Sequence, residues 1–441
     1  MTTKLKTADV LAIGFMTFAF FLGAGNIIFP PLAGNLAGQS YMLAMLGFLA
    51  TAVGLPLITI IAVAKAGGGL IAMTRFLPAM AATAIAVAIY VIIGPAFAAP
   101  RTSLVAYEMG IKPFLGDAAN DTTLALYSVV FFIITAYFAL SQGKLIDHIG
   151  KILTPALIIL LAVLAIAVFI MPQGEIGLAR EAYIDSPFTT GFLEGYNTMD
   201  TFASLMFGML IINVLKSKGV TDKAGQFKYL VMAGSIAAVG LTFVYVSLFY
   251  LGATSQSLIA VGADVNGAMI LAIYVQALFG LPGQYILAAV VTLACLTTAI
   301  GLASAVAEFF HELKPQWSYK MLVIINCIVC AIVANVGLSQ LISISVPVLF
   351  AVYPLAIAIV ALILLQERFP NPQFAFRFVM VVAFMFGVLD GMKVAGLAMS
   401  GFDFLPLFDQ GLAWVLPTAL AIIVSIVAMR PQANVSVATA K

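Results

Sequence analysis

The chain has 441 residues; 63% are hydrophobic, 9% are charged, and the formal net charge is +2. A soluble domain carries about 25% charged residues, so a hydrated outer surface is excluded. The basic residues are scattered without a dense patch or stacking aromatics, which removes nucleic acid as a partner.

Crossing the roughly 30 Å hydrocarbon core of a bilayer takes about 20 apolar residues in a helix. In chain order such runs lie at about 9–36, 41–65, 79–107, 123–141, 151–171, 190–215, 227–251, 284–309, 319–337, 340–365, 373–398 and 411–429. They are numbered spans 1 to 12 below. Continuous stretches such as "ILTPALIILLAVLAIAVFI" exclude a membrane β-barrel, whose strands alternate apolar and polar residues. The first run is too long for a cleaved signal and has no A-x-A-like site. The longest polar connections, about 172–189 and 252–283, leave no room for a second domain. The expectation is one all-α polytopic membrane domain over residues 1–441.

Basic residues orient it. With the N-terminus inside, Lys4, Lys6, Lys65, Arg75, Lys144, Lys151, Lys216, Lys218, Lys223, Lys228, Lys314, Lys320, Arg368, Arg377, Arg430 and Lys441 are cytoplasmic. Only Lys112 and Arg180 fall outside, with acidic residues such as Asp264, while Arg101 and Lys393 lie within spans. That bias is the positive-inside pattern. An even number of spans then places both termini in the cytoplasm, on a multi-pass protein of the cytoplasmic membrane in contact with lipid.

Enzyme signals are sparse. The two histidines, His148 and His311, lie in connections, and no Gly-rich phosphate loop with Lys occurs. Cys327 and Cys330 form C-x-x-C inside an apolar span without further ligands, which reads as packing, like Cys295. No cofactor or obligate protein partner is expected. An ion channel is the rival from another class, but it needs a continuous polar lining. Here the polar residues cluster at mid-membrane.

Two spans are interrupted. Span 1 contains "FFLGAGNIIFPPLAG", with Gly23, Gly25 and Asn26 followed by Pro30 and Pro31. Freed backbone groups at that depth must be buried in protein or line a polar cavity. Close helix crossing through small residues is the alternative for one such span. Span 6 reads "GFLEGYNTMDTFASLMFG", placing Asp200 among Asn197, Thr198, Thr201 and Ser204. An unpaired ionisable group there costs about 2.5–3.5 kcal/mol. Breaks five spans apart enter the membrane from opposite sides, which is the arithmetic of an inverted repeat with discontinuous helices. The repeats are assigned to about 9–171 and 190–365, with additional helices at about 373–429.

The stretches "GFMTFAFFLGAGNIIFPPLAG", "TAVGLPLITIIAVAKAGGG", "GPAFAAPRT", "GYNTMDTFASLMFG" and "GLSQLISISVPVL" resemble the branched-chain amino acid:cation symporters, from about residue 5 to residue 428. The resemblance implies the LeuT-like fold of five plus five inverted helices, with broken helices 1 and 6 and two extra C-terminal helices. It also implies import of leucine, isoleucine and valine coupled to sodium, or sometimes another small cation; a proton carried by Asp200 is the alternative that keeps the same fold.

Such a substrate needs an anion site and a cation site close together. Amides at Ala24, Gly25, Asn26 and Ile27, at a positive helix end, suit a carboxylate. Carbonyls near Phe20 to Gly23 and Thr198 to Thr201 suit an ammonium group. Asp200 adds charge, coordinates a cation or holds the break open. Phe20, Met199 and Phe202 are candidates for the apolar pocket. Adjacent Thr297 and Thr298, with the Ala294 carbonyl, resemble the sodium site of that wider fold. Matching the Gly-rich break to the fold places the remaining oxygens at Ala19 and Leu22; a hard cation prefers oxygen ligands. Arg101, paired with Asp200 or closing the outer vestibule, and Tyr107 are gate candidates, with Glu108 bordering the same cavity. Asp390 and Lys393, three apart on span 11, are expected to neutralise each other.

Overall fold

The computed structural model describes residues 4–141, 151, 153–259 and 266–427. Lys144, His148, Asp264, Arg430 and Lys441, assigned above to connections or tails, lie outside the described residues. Among the described residues every regular element is a helix. Nine are long and apolar enough to cross a membrane, and Thr7–Phe21, Thr154–Ile170 and Val415–Val427 are shorter apolar helices. With Thr7–Phe21 as the first half of span 1 and the 43-residue stretch Ala24–Ala66 divided between spans 1 and 2, the twelve expected spans are accounted for.

Local signals explain where ordinary spans begin. Span 4 (Asp121–Ala139) is capped by Asn120, span 7 (Lys223–Ala253) by Asp222, span 9 (Tyr319–Val333) by Ser318 and span 11 (Pro372–Val394) by Asn371. Each cap oxygen accepts an amide of the first turn, which satisfies a donor the helix cannot. The inner halves of the broken spans lack this device. Span 1b (Ala24–Ala37) follows Gly23 and span 6b (Asp200–Ser217) follows Met199, neither with a side-chain cap.

One connection differs from expectation. From residue 267 on, the expected connection 252–283 is helical: Gly267–Leu313 begins well before span 8 and bends at Gly280 (φ 63°). Its first part, "GAMILAIYVQALF", is apolar and helix-compatible, and Pro282 with Gly280 marks the bend rather than the start. Gly67 (φ 72°) ends the helix Leu55–Ala66.

The chain divides into two compact units, residues 1–70 with 85–346, and residues 71–84 with 347–441. In the first, spans 1, 2, 6 and 7 pack on one another, and spans 3, 4, 8 and 9 form a second mutually packed group. Span 1b crosses span 7 closely: a Cβ on Gly34 would lie 2.2 Å from the Phe249 carbonyl oxygen, so only glycine fits. The close-crossing reading of the Gly-rich span is therefore true of its second half, beside a real break in its middle.

In the second unit, Asp390 and Lys393 do not pair. Asp390 is buried and accepts the amides of Ala413 (3.2 Å) and Trp414 (3.3 Å), whereas Lys393 donates to Asp409 (3.2 Å) and the Phe408 carbonyl (2.9 Å). Both residues thus hold the return of the chain into span 12, a use of charge invisible from helical spacing.

Candidate functional site

Span 1a (Thr7–Phe21) ends where Leu22 (ψ 79°) and Gly23 (φ −109°, ψ −163°) leave helical geometry. The Gly23 amide donates to the Phe21 carbonyl (2.7 Å) and to Asn26 Oδ1 (3.1 Å). Because the helix restarts at Ala24, its first-turn amides have no intrahelical acceptors. In span 6, the segment Pro187–Glu194 runs into a 3-10 turn, Gly195–Thr198, and Met199 takes left-handed angles (φ 62°, ψ 15°) before span 6b begins. A non-glycine residue in that conformation costs about 1–3 kcal/mol and persists only where surroundings enforce it.

The two breaks meet. A Cβ on Gly25 would sit 3.0 Å from the Asn197 carbonyl oxygen and 3.1 Å from Thr198 Cα. Asn26 Nδ2 donates to Asp200 Oδ2 at 2.7 Å, and the same oxygen accepts the Tyr245 hydroxyl of span 7 at 2.9 Å. Asn26 Nδ2 also contacts the Tyr245 hydroxyl oxygen. Asp200 is 1% exposed. Its carboxylate is held by neutral donors, with no ion pair among the described residues.

Around this junction lies a small cavity of about 30 Å³, room for about one or two water molecules. Phe20, Gly23, Ala24, Gly25, Asn26, Thr198, Met199, Asp200, Arg101 and Thr298 line it, as the sequence suggested for a site. Thr201 and Phe202 are buried outside the lining, since the first turn of span 6b points them elsewhere. Residues not anticipated from sequence include Phe21, Ile93, Ala98, Thr102, Ala203, Phe207 and Leu302. Phe207 lies 5.0 Å from Phe20, centroid to centroid, and forms an apolar wall. Tyr245 was also unanticipated; a phenol in mid-span is its only sequence signal.

Beside the cavity, four oxygens cluster at span 1a's end. The Ala19 carbonyl accepts from Thr297 Oγ1 and from Thr298 Oγ1, each at 3.1 Å, and Thr297 Oγ1 lies 3.0 Å from the Ala294 carbonyl. Leu22 is buried in the adjoining non-helical turn. The donor set is all oxygen and uncharged, which suits a hard monovalent cation.

Arg101 does not reach Asp200. Its Nη1 donates to the Asn197 carbonyl and its Nη2 to Ser345 Oγ, both at 2.8 Å. Tyr107 turns away from the cavity, its hydroxyl 2.7 Å from Thr123 Oγ1 on span 4. Glu108 pairs with Lys112 at 2.8 Å instead of facing the cavity. The three cysteines are free and buried.

Residues 6–432 match the family described as branched-chain amino acid transport protein. The branched-chain amino acid transport system 2 carrier protein of Pseudomonas aeruginosa is 47% identical, over 97% of this chain and 98% of its own length. The branched-chain amino acid permease BrnQ of Escherichia coli K12 is 45% identical over 97% of each. Among solved structures, MhsT in complex with L-phenylalanine superposes with a TM-score of 0.59 at 15% identity, covering 96% of this chain and 98% of MhsT. Mhp1, a nucleobase-cation-symport-1 family transporter, gives 0.62 at 16% identity, over 96% and 92%. Both are LeuT-fold transporters, so this chain has the LeuT-like fold, and its relatives are non-enzymatic carriers. It belongs to the branched-chain amino acid transport protein family.

Proposed function

We propose that the chain imports leucine, isoleucine and valine across the cytoplasmic membrane, coupled to sodium, by alternating access, with both termini cytoplasmic. The observation that carries this reading is the contact between two opposed helix breaks at Asn26 and Asp200, inside a cavity walled by aromatic and aliphatic side chains. Free amides at span 1b and the carboxylate at span 6 supply opposite ends of a polar frame for a zwitterion. The Phe20, Phe21, Phe207 and Met199 wall receives the side chain. One methylene in such a pocket is worth only about 1–3 kcal/mol, so the three amino acids compete. Relatives named as branched-chain amino acid carriers support the substrate.

Sodium coupling rests on the Ala19, Ala294, Thr297 and Thr298 oxygens, one of which comes from the end of span 1a. An ion bound there fixes the half-helix that also lines the cavity, so ion and substrate affinities rise together. Spans 1, 2, 6 and 7, which pack mutually, then rock as a bundle. Labelled leucine uptake into proteoliposomes, with and without an imposed sodium gradient, tests the coupling; accumulation indifferent to the gradient defeats it.

A second reading has a specific observation behind it. Asp200 is buried against neutral donors alone, which also suits a proton-carrying group. Uptake driven by a pH gradient in sodium-free medium favours the proton; no uptake under those conditions favours sodium.

A further inference from the structure

We propose that Arg101 is the cationic half of the substrate site, holding the carboxylate of the bound amino acid against the start of span 1b. This rests on the transport reading above and adds a residue to it. Arg101 is 2% exposed, and its guanidinium lies 5.4 Å from the centroid of the Phe29 ring. Its two acceptors, the Asn197 carbonyl and Ser345 Oγ, are neutral, and its Nε is buried without a partner. A guanidinium carries five N–H donors, and buried charges are ordinarily paired. Arg101 has no ion pair among the described residues, yet it lines the same cavity as Asp200. A buried guanidinium and a buried carboxyl group share one cavity without bonding to each other. That is the complement of a ligand bearing both charges.

The geometry places the carboxylate. The Asn197 carbonyl oxygen lies 2.8 Å from Arg101 Nη1 and 3.0 Å from the point where a Cβ on Gly25 would stand. The guanidinium and the first turn of span 1b therefore border one carbonyl. A carboxylate seated there has one oxygen for the amides and the other for Arg101, a charge-assisted bond of the stronger kind. The ammonium group then faces Asp200. Joining spans 3, 6 and 10 is the competing role for Arg101, and the test separates the two.

The experiment is competition against labelled leucine by leucine and by leucinol, which lacks the carboxylate, on the purified full chain and on Arg101→Gln and Arg101→Lys. In the unaltered protein leucinol is expected to compete about ten- to a hundredfold more weakly. Arg101→Gln should weaken leucine by a similar factor and leave leucinol almost unchanged, so the preference collapses. Arg101→Lys keeps the charge without the planar fork and should give an intermediate preference, which serves if the glutamine variant does not fold. Leucinol equal to leucine in the unaltered protein overturns the assignment. So does a variant in which both ligands weaken by one factor, the signature of a purely structural tie. Failure of the unaltered protein to bind leucine overturns the transport reading itself.

Discussion

Asn26 hands its side-chain amide to the carboxylate of Asp200 across 2.7 Å, linking residues 174 apart in sequence. The bond ties the restart of span 1 to the restart of span 6, and Tyr245 closes it from span 7. Both partners are buried, so removing either leaves a polar group unsatisfied at about 1–3 kcal/mol, more for a charge.

Asn26→Ala is accordingly expected to lower the initial rate of leucine uptake about ten- to a hundredfold in proteoliposomes at equal protein. Tyr245→Phe should cost less, because Asn26 still holds the carboxylate. Equal rates for Asn26→Ala and the unaltered protein would show that the junction is ornamental to transport.

Removing one hydroxyl from the Ala19 cluster tests the ion site. Thr297→Ala or Thr298→Ala should raise the sodium concentration giving half-maximal uptake by about tenfold, the worth of one good polar ligand. The leucine rate at saturating sodium should change little. A sodium curve that stays in place while leucine uptake is normal means these oxygens are not the ligands.

Gly25 sits against main-chain atoms that cannot rotate away, with Asn197 O at 3.0 Å and Thr198 Cα at 3.1 Å from an added Cβ. Gly25→Ala is expected to push the two breaks apart and reduce uptake more than tenfold, an overpacking cost of about 1–3 kcal/mol. Gly54→Ala, in the π-helical turn Ala50–Gly54, has its nearest atom at 3.7 Å and should leave uptake close to normal. Comparable rates for the two variants would remove the steric case.

Asp390 provides a prediction about stability. Asp390→Ala strips the Ala413 and Trp414 amides of their acceptors, a loss of about 1–3 kcal/mol per buried group. Thermal unfolding in detergent should shift down by several degrees, and Asp390→Asn, which keeps an acceptor oxygen, should shift less. Sodium dependence and leucine affinity of the folded fraction should be unaltered, since Asp390 is outside the cavity lining.

Most of the helical layout was legible because hydrocarbon leaves a chain few choices. Apolar runs near 20 residues must be helices, and glycines, prolines and an aspartate inside them must be sheltered. The breaks at Gly23 and near Asp200 were visible for that reason, whereas adjacent Thr297 and Thr298 stood out through the resemblance to the wider fold. What misled was always one-dimensional. The helix before Gly280 was hidden by the assumption that one bend signal marks one beginning. Lys393 sits three residues from Asp390 yet prefers Asp409, because a flexible side chain seeks whatever acceptor the returning chain brings.

Composition and spacing alone therefore determined that this is a multi-span helical membrane protein with two interrupted spans, since burial in lipid punishes every unsatisfied backbone group. Only the tertiary structure decided who meets whom. That Asp200 takes Asn26 and Tyr245 rather than Arg101, and that Arg101 keeps its charge unpaired at the cavity wall, depends on how spans 1, 3, 6 and 7 cross. Crossing angles are set by side-chain packing between segments far apart in sequence, and no local pattern encodes them.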